Sequence, residues 1–216
     1  MNLDLLREAA EWRLLSLLFE YPAGSWREQV SALLPNLSDH RFRETAEHAL
    51  NDAEEGLYHT VFGPAGPVPP REAAYLQGVQ LGYLMSDLEA RYAAFGYQPQ
   101  TAEAADHISV EAGFIAWLKL KQAYALESND EEHATITAEA ARSFIDDHLS
   151  NIAEPLAQRL EPVAPPYLVL ASHLLHERVG SPPQAVPIPL NQLLNDDDEL
   201  ACGAAPPQDA LIQLEP

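Results

Sequence analysis

The sequence predicts an all-α protein, a single-domain helical bundle of about seven helices followed by an acidic, proline-rich C-terminal tail. Three observations carry that expectation. Apolar residues recur at spacings of three and four through most of residues 1–180, the repeat of one helix face. No stretch alternates apolar and polar as a half-buried strand does. Clusters of proline and glycine fall between the periodic segments, where they end helices.

Leu3, Leu6, Ala10, Leu14, Leu17 and Leu18 lie on one stripe of a first helix that stops at Tyr21-Pro22. Ser25 is placed to cap a second helix through Val30, Leu33 and Leu34, which Pro35 and Asn36 break. A third helix is expected from near Asp39 to Phe62, weakened late by Gly56. Gly63-Pro64-Ala65-Gly66-Pro67-Val68-Pro69-Pro70 cannot continue it, because four prolines lack the amide donor and two glycines raise the entropic cost of order.

Helical spacing returns from Arg71 to Phe95, with Ala74, Leu81, Leu84, Leu88 and Tyr92 on one face and Gly96 as the stop. After a connector, Asp106 stands where a side-chain oxygen caps the helix of Val110, Phe114, Trp117, Leu118 and Tyr124, which Asn129-Asp130 ends. Ala134 to Leu149 forms the next helix, Pro155 suits the first turn of a short one, and Pro165-Pro166 starts the last, Tyr167 to Val179. The expected division is therefore a helical domain over 1–180 and a tail over 181–216. The tail has seven prolines and no Lys or Arg, and reads as extended or disordered alone. Its apolar patch of Ile188, Leu190, Leu193 and Leu194 suits docking on the body or on a partner.

Charge narrows the partners. With 33 acidic against 12 basic residues the formal charge is −21, which repels nucleic acid and anionic lipid and favours a basic partner. Cys202 is the only cysteine, so neither an intramolecular disulfide nor a cysteine-rich metal site is expected, and a reducing cytoplasm fits. Asp4, Arg7, Glu8, Glu11 and Arg13 interrupt the first apolar residues, unlike a secretory signal, so export by that route is not expected. Leu14 to Phe19 and Tyr167 to Leu175 are far shorter than the roughly 20 residues a membrane span needs.

Few residues suggest chemistry. Neither a P-loop nor a Rossmann fingerprint occurs, and no Glu-x-x-His pair of a di-iron bundle is present. His107 and Glu111, four apart, share a helix face suited to a metal, a proton-transfer pair or a hydrogen-bonded structural pair. His173 and His176, with Glu177 beside them, offer a second three-residue spacing for a metal, against the ordinary reading of surface or satisfied core histidines. A metal-dependent helical enzyme built on either pair is the alternative function, and no nucleophile has an evident activating partner.

Several ordered motifs share a further property. Leu57-Tyr58-His59-Thr60-Val61-Phe62-Gly63-Pro64-Ala65-Gly66 with Pro69-Pro70-Arg71-Glu72-Ala73-Ala74-Tyr75 resembles the first signature of the TorD/DmsD/NarJ family of redox-enzyme maturation chaperones. Ala105-Asp106-His107-Ile108-Ser109-Val110-Glu111 with Phe114 and Leu118 resembles its Asp-His helix start, and Phe144-Ile145-Asp146-Asp147-His148-Leu149 its third motif. Tyr92 to Tyr97 and Lys119 to Ala125 look closest to the chaperones of type II dimethyl sulfoxide reductase-family enzymes. The chain departs from the third motif at Ile152 and Leu156, where a tryptophan and a phenylalanine are usual.

The resemblance implies a cytoplasmic, non-enzymatic chaperone. It would bind the apo catalytic subunit of a molybdenum-dependent oxidoreductase and its twin-arginine signal peptide, delaying export until the cofactor is inserted. Cofactor-synthesis proteins are possible further partners, and neither nucleic acid nor membrane insertion is implied. No cofactor is expected to bind stably; transient contact with the molybdenum cofactor or a guanine nucleotide is compatible with the family. On this resemblance, Glu72, Asp106, His107 and Glu111 are the polar candidates and Phe62, Tyr75 and Leu76 the apolar candidates for partner or signal-peptide binding. Gly63, Pro64, Gly66, Pro69 and Pro70 would shape the loop, and no residue is assigned to catalysis or metal.

Overall fold

A computed structural model describes residues 2–78 and 80–180. Its helices are α1 (Leu3–Leu18), α2 (Trp26–Leu33), α3 (His40–Asp52), α4 (Glu55–Phe62), α5 (Leu81–Ala94), α6 (Ile108–Glu127), α7 (Glu131–Phe144), α8 (Ser150–Leu160) and α9 (Pro166–Val179). A π turn, Ile145–Leu149, joins α7 to α8 without interruption, so the described residues form eight helical rods. They contain no strand, only an isolated antiparallel bridge between Arg71 and His107. The all-α expectation holds.

α1 and α6 lie at the centre. Trp12, Leu14, Leu15, Leu17 and Leu18 of α1 are buried, as are Ile108, Val110, Phe114, Ile115 and Leu118 of α6. Burial on most sides is why neither helix has a single clean apolar stripe. Gly113 lets α6 approach its neighbours closely: a Cβ there would stand 2.4 Å from the Tyr97 hydroxyl and 3.1 Å from Ser16 Oγ of α1. α3, α8 and α9 close the other side of the core around Phe42, Leu156, Tyr167 and Leu168.

Buried Glu11 links distant segments of this body. Its Oε1 accepts from Ser38 N–H and Oγ–H and from Asp39 N–H at 2.8–3.2 Å, while Oε2 pairs with Arg178 of α9. A carboxylate enclosed in helical protein needs such partners to offset its lost hydration.

Several expected boundaries move. The predicted third helix is two helices: at Ala53 and Glu54 the backbone is extended, and Arg27 Nη2 donates to the Ala53 carbonyl at 2.7 Å. Arg27 thus satisfies a carbonyl at the C-terminal end of α3, and the chain turns before Gly56. Ser25 precedes α2, but its side chain makes no capping hydrogen bond. The expected helix from Arg71 begins only at Leu81; among residues 71–78 the one helical feature is a single 3-10 turn, Glu72–Ala74. Pro155 lies inside α8 instead of opening a separate helix. The tail, its apolar patch and Cys202 lie outside the described residues.

Candidate functional site

The two ends of α6 form different kinds of site. At its start, the expected cap is replaced by its neighbour. Asp106 does not cap; His107 does, its Nδ1 accepting the Ser109 amide at 3.2 Å. Asp106 instead receives Arg71 Nε at 2.7 Å and the Ala73 amide at 3.4 Å, and its side chain is fully buried. The Glu72 amide donates to the Asp106 carbonyl, and the Ile108 amide to the Pro70 carbonyl, each at 2.9 Å. Residues 69–75 are thereby strapped across the head of α6.

The loop leading into the strap is built for close backbone approach. A Cβ at Gly63 would lie 2.4 Å from the His59 carbonyl oxygen, and one at Gly66 2.3 Å from that of Val61. The loop-shaping assignment of Gly63 and Gly66 therefore has a steric basis. Pro69 holds the Tyr75 hydroxyl on its carbonyl at 2.8 Å, and Arg159 stands 5.2 Å over the Tyr75 ring. Burial pushes the Tyr75 hydroxyl up to about 12.

Glu72 leaves the strap and enters the protein. One oxygen accepts from Asn151 Nδ2 at 2.8 Å, and the other lies 3.1 Å from His148 Nδ1. His148 Nε2 meets Asp87 of α5 at 3.0 Å. Carboxylates only accept, so both contacts are donations when His148 is the imidazolium. The π turn carries His148 to this bridging position between the strap and α5.

Glu111 is fully buried and no N–H or O–H of the chain reaches either oxygen. Burial, then the neighbouring carboxylates of Glu72 and Asp106, push its carboxyl well above the usual range. The neutral acid carries no charge to oppose those of Glu72 and Asp106. Beside the neutral Glu111, Glu72 is engaged by Asn151 and His148, and Asp106 by Arg71.

His107 is the opposite case: burial, then the Arg71 charge, lowers its imidazole to about 3. The neutral ring accepts at Nδ1, so Nε2 carries the proton and donates to the Tyr58 hydroxyl at 3.3 Å. His107 and Glu111 are thus turned to different partners rather than toward a common ligand. His173 Nε2 pairs with Glu161 at 2.8 Å. Among the described residues, no three His, Cys, Asp or Glu side chains are grouped to hold a metal ion.

The polar candidates accordingly form an internal structural junction. Glu72, Asp106, His107 and Glu111 are buried, as is Phe62, so none of the five offers a surface for direct capture. Tyr75 and Leu76 are half-buried.

The other half of α6 is open. A groove of about 850 Å³ runs between the end of α5, α6 and the start of α7, lined by Phe95, Trp117, Leu120, Tyr124 and Ile136 with Lys121 and His133. Leu120, Tyr124 and Ile136 remain 45%, 76% and 46% exposed. Trp117 Nε1 donates to the Phe95 carbonyl at 2.9 Å, fixing the wall to the floor. Asp130 brings a carboxylate to the groove's lining and caps α7 through the His133 amide. The sequence places Trp117 and Tyr124 on one helix with Val110, Phe114 and Leu118, and helical spacing does not distinguish an exposed apolar cluster from a buried one.

A family model described as nitrate reductase delta subunit matches residues 23–158. The chain belongs to this family. The matched span contains both the polar junction and the groove of this delta-subunit-family protein, and it is the redox-enzyme maturation chaperone family that the ordered motifs resemble. In fold, the chain is similar to a solved protein of Archaeoglobus fulgidus described as a redox enzyme maturation protein, with 16% identity and a TM-score of 0.50, covering 79% of this chain and 93% of that one. No curated protein matches the chain. No helix among the described residues is long and apolar enough to cross a membrane.

Proposed function

We propose that this maturation chaperone acts in the cytoplasm on the apo catalytic subunit of a molybdenum-dependent oxidoreductase, and that its groove receives the apolar run of that subunit's twin-arginine signal region. The observation that carries this reading is the open apolar groove on a strongly acidic helical protein of this family. An amphipathic or apolar segment entering such a groove gains from buried area, while arginines beside it meet carboxylates at the rim. Asp130, in the groove's lining and 43% exposed, is the carboxylate so placed.

The polar junction has a supporting role: it fixes the strap and the direction of α6. The chain itself performs no bond-breaking chemistry on this reading: Glu72, Asp106 and His107 are engaged with neighbouring groups of the protein. The residues do not favour stable binding of the molybdenum cofactor or a guanine nucleotide either. The Gly63, Gly66 and Val68 amides already donate to the carbonyls of His59, Gly63 and Val61, leaving no cradle for phosphate.

Isothermal titration with a synthetic peptide carrying paired arginines before an apolar run tests the reading. Micromolar binding that is lost in Leu120→Glu is expected. Undetectable binding to the wild-type chain, together with failure to recover a molybdoenzyme subunit on pull-down, would overturn it.

A further inference from the structure

α5 is the least anchored of the described helices. It buries only Leu84, Leu88 and Tyr92 among its 14 residues, one contact for each turn of a single stripe. Glycines with positive φ stand on both flanks, Gly78 at 72° and Gly96 at 64°, a backbone region in which glycine turns freely.

Polar links at the surface supply much of the remaining attachment. Arg91 Nη2 donates to Asp147 at 2.9 Å and Nη1 to Ser143 Oγ at 3.2 Å. Asp87 meets His148 Nε2 at 3.0 Å, with His148 held behind by Glu72. Asp87 and Asp147 are about half exposed, so water competes for both links.

Beneath α5 lies a continuous aromatic line. Ring centroids are 4.8 Å apart from Tyr92 to Phe114, 4.8 Å from Phe114 to Phe144 and 4.7 Å from Phe144 to His148. The C-terminal end of the same helix provides Ala94 and Phe95 to the groove wall. One helix therefore covers an apolar interior and borders the open groove.

We propose that α5 is a hinged wall of the groove, latched by the Asp87–His148–Glu72 bridge and the Arg91–Asp147 pair. Release of the latch swings Phe95 from Trp117 and extends the groove toward the Phe114–Phe144 line, so that a longer apolar segment of the partner can be enclosed. This deepens the groove reading and rests on it for the identity of the occupant.

The test uses the full chain carrying Asp87→Asn with Arg91→Gln, compared with wild type by hydrogen–deuterium exchange without peptide. α5 amides are expected to exchange at least tenfold faster while α1 and α6 keep their wild-type rates. Emission from Trp117, isolated by subtracting a Trp117→Phe background, is expected to shift to the red as its bond to the Phe95 carbonyl opens. Unchanged α5 exchange, equal acceleration in all helices, or faster α5 exchange with an unmoved Trp117 spectrum would overturn the hinge. Because both readouts need no peptide, failure of peptide binding counts against the proposed function alone.

Discussion

At its first turn α6 meets a strap, a half-exposed arginine paired with buried Asp106, and the carboxyls of Glu72 and Glu111; over its last turns it meets solvent through Leu120, Tyr124 and the groove. Glu111 in the first region and Tyr124 in the second are separated by roughly 13 residues of helix, about 20 Å. The polar end is enclosed because each charged group finds a partner or keeps its proton. The apolar end is open: Leu120, Tyr124 and Ile136 remain exposed along the groove. In this molecule, buried charge marks rigidity and exposed apolar surface marks availability. The usual association of acids and histidines with the working surface is reversed.

The strongest way to break that contrast is at the strap. Asp106→Ala leaves Arg71 and the Ala73 amide without their acceptor, and is expected to lower stability by about 2–3 kcal/mol in denaturant unfolding. Arg71 is partly exposed, which keeps the loss below that of a wholly enclosed charge. A change under 0.5 kcal/mol would mean that the strap is not held from Asp106.

Next comes pH. Glu111 is raised above its ordinary 4.5 in the folded chain, so above that value the folded state holds a proton the unfolded state has released. Its stabilising contribution is full below 4.5 and is lost as pH rises, by about 1.4 kcal/mol per unit until the folded group ionises. His107, lowered from 6.5 to about 3, works in the other direction: its contribution is full above 6.5 and is lost as pH falls toward 3. Glu111→Gln is therefore expected to gain on wild type progressively from pH 5 to pH 8 in thermal unfolding, and His107→Asn to gain progressively from pH 6 down to pH 4. Parallel pH profiles for variant and wild type would refute either assignment.

A smaller effect sharpens the rim. Asp130 caps α7 and also holds the His133 ring, so Asp130→Ala is expected to cost about 1 kcal/mol, read from the urea midpoint. The smallest stability effect belongs to the groove itself. Tyr124→Ser is expected to change unfolding by less than about 0.5 kcal/mol while weakening peptide capture at least tenfold. Equal losses in stability and capture would mean that the groove is core.

Much of this was legible in the residues. The helical period of Leu84, Leu88 and Tyr92, the proline loop, and the stop at Gly96 located elements correctly, since local geometry and chain entropy act within a few residues. The motifs around Arg71 and Asp106 also pointed to one neighbourhood. Their role was less legible: Asp106 is the cap that the sequence predicts, but Arg71, 35 positions away, takes its carboxylate, and His107 caps instead. His148 was part of a recognised motif, yet nothing local tells that a π turn brings it between Glu72 and Asp87. Pro155 was read as a helix start because a proline suits a first turn; the packing of Ile152, Leu156 and Leu160 into the core carries α8 through it.

By itself, then, the sequence determined an all-helical body, its main breaks, its acidic character and the family it resembles, because periodicity, proline geometry and net charge are properties of the chain before it folds. Tertiary structure alone decided which acids are buried, which imidazole stays neutral, where a carboxyl keeps its proton and which apolar face remains open. Burial, dielectric environment and access to a partner arise from segments distant in sequence, and they exist only after those segments pack.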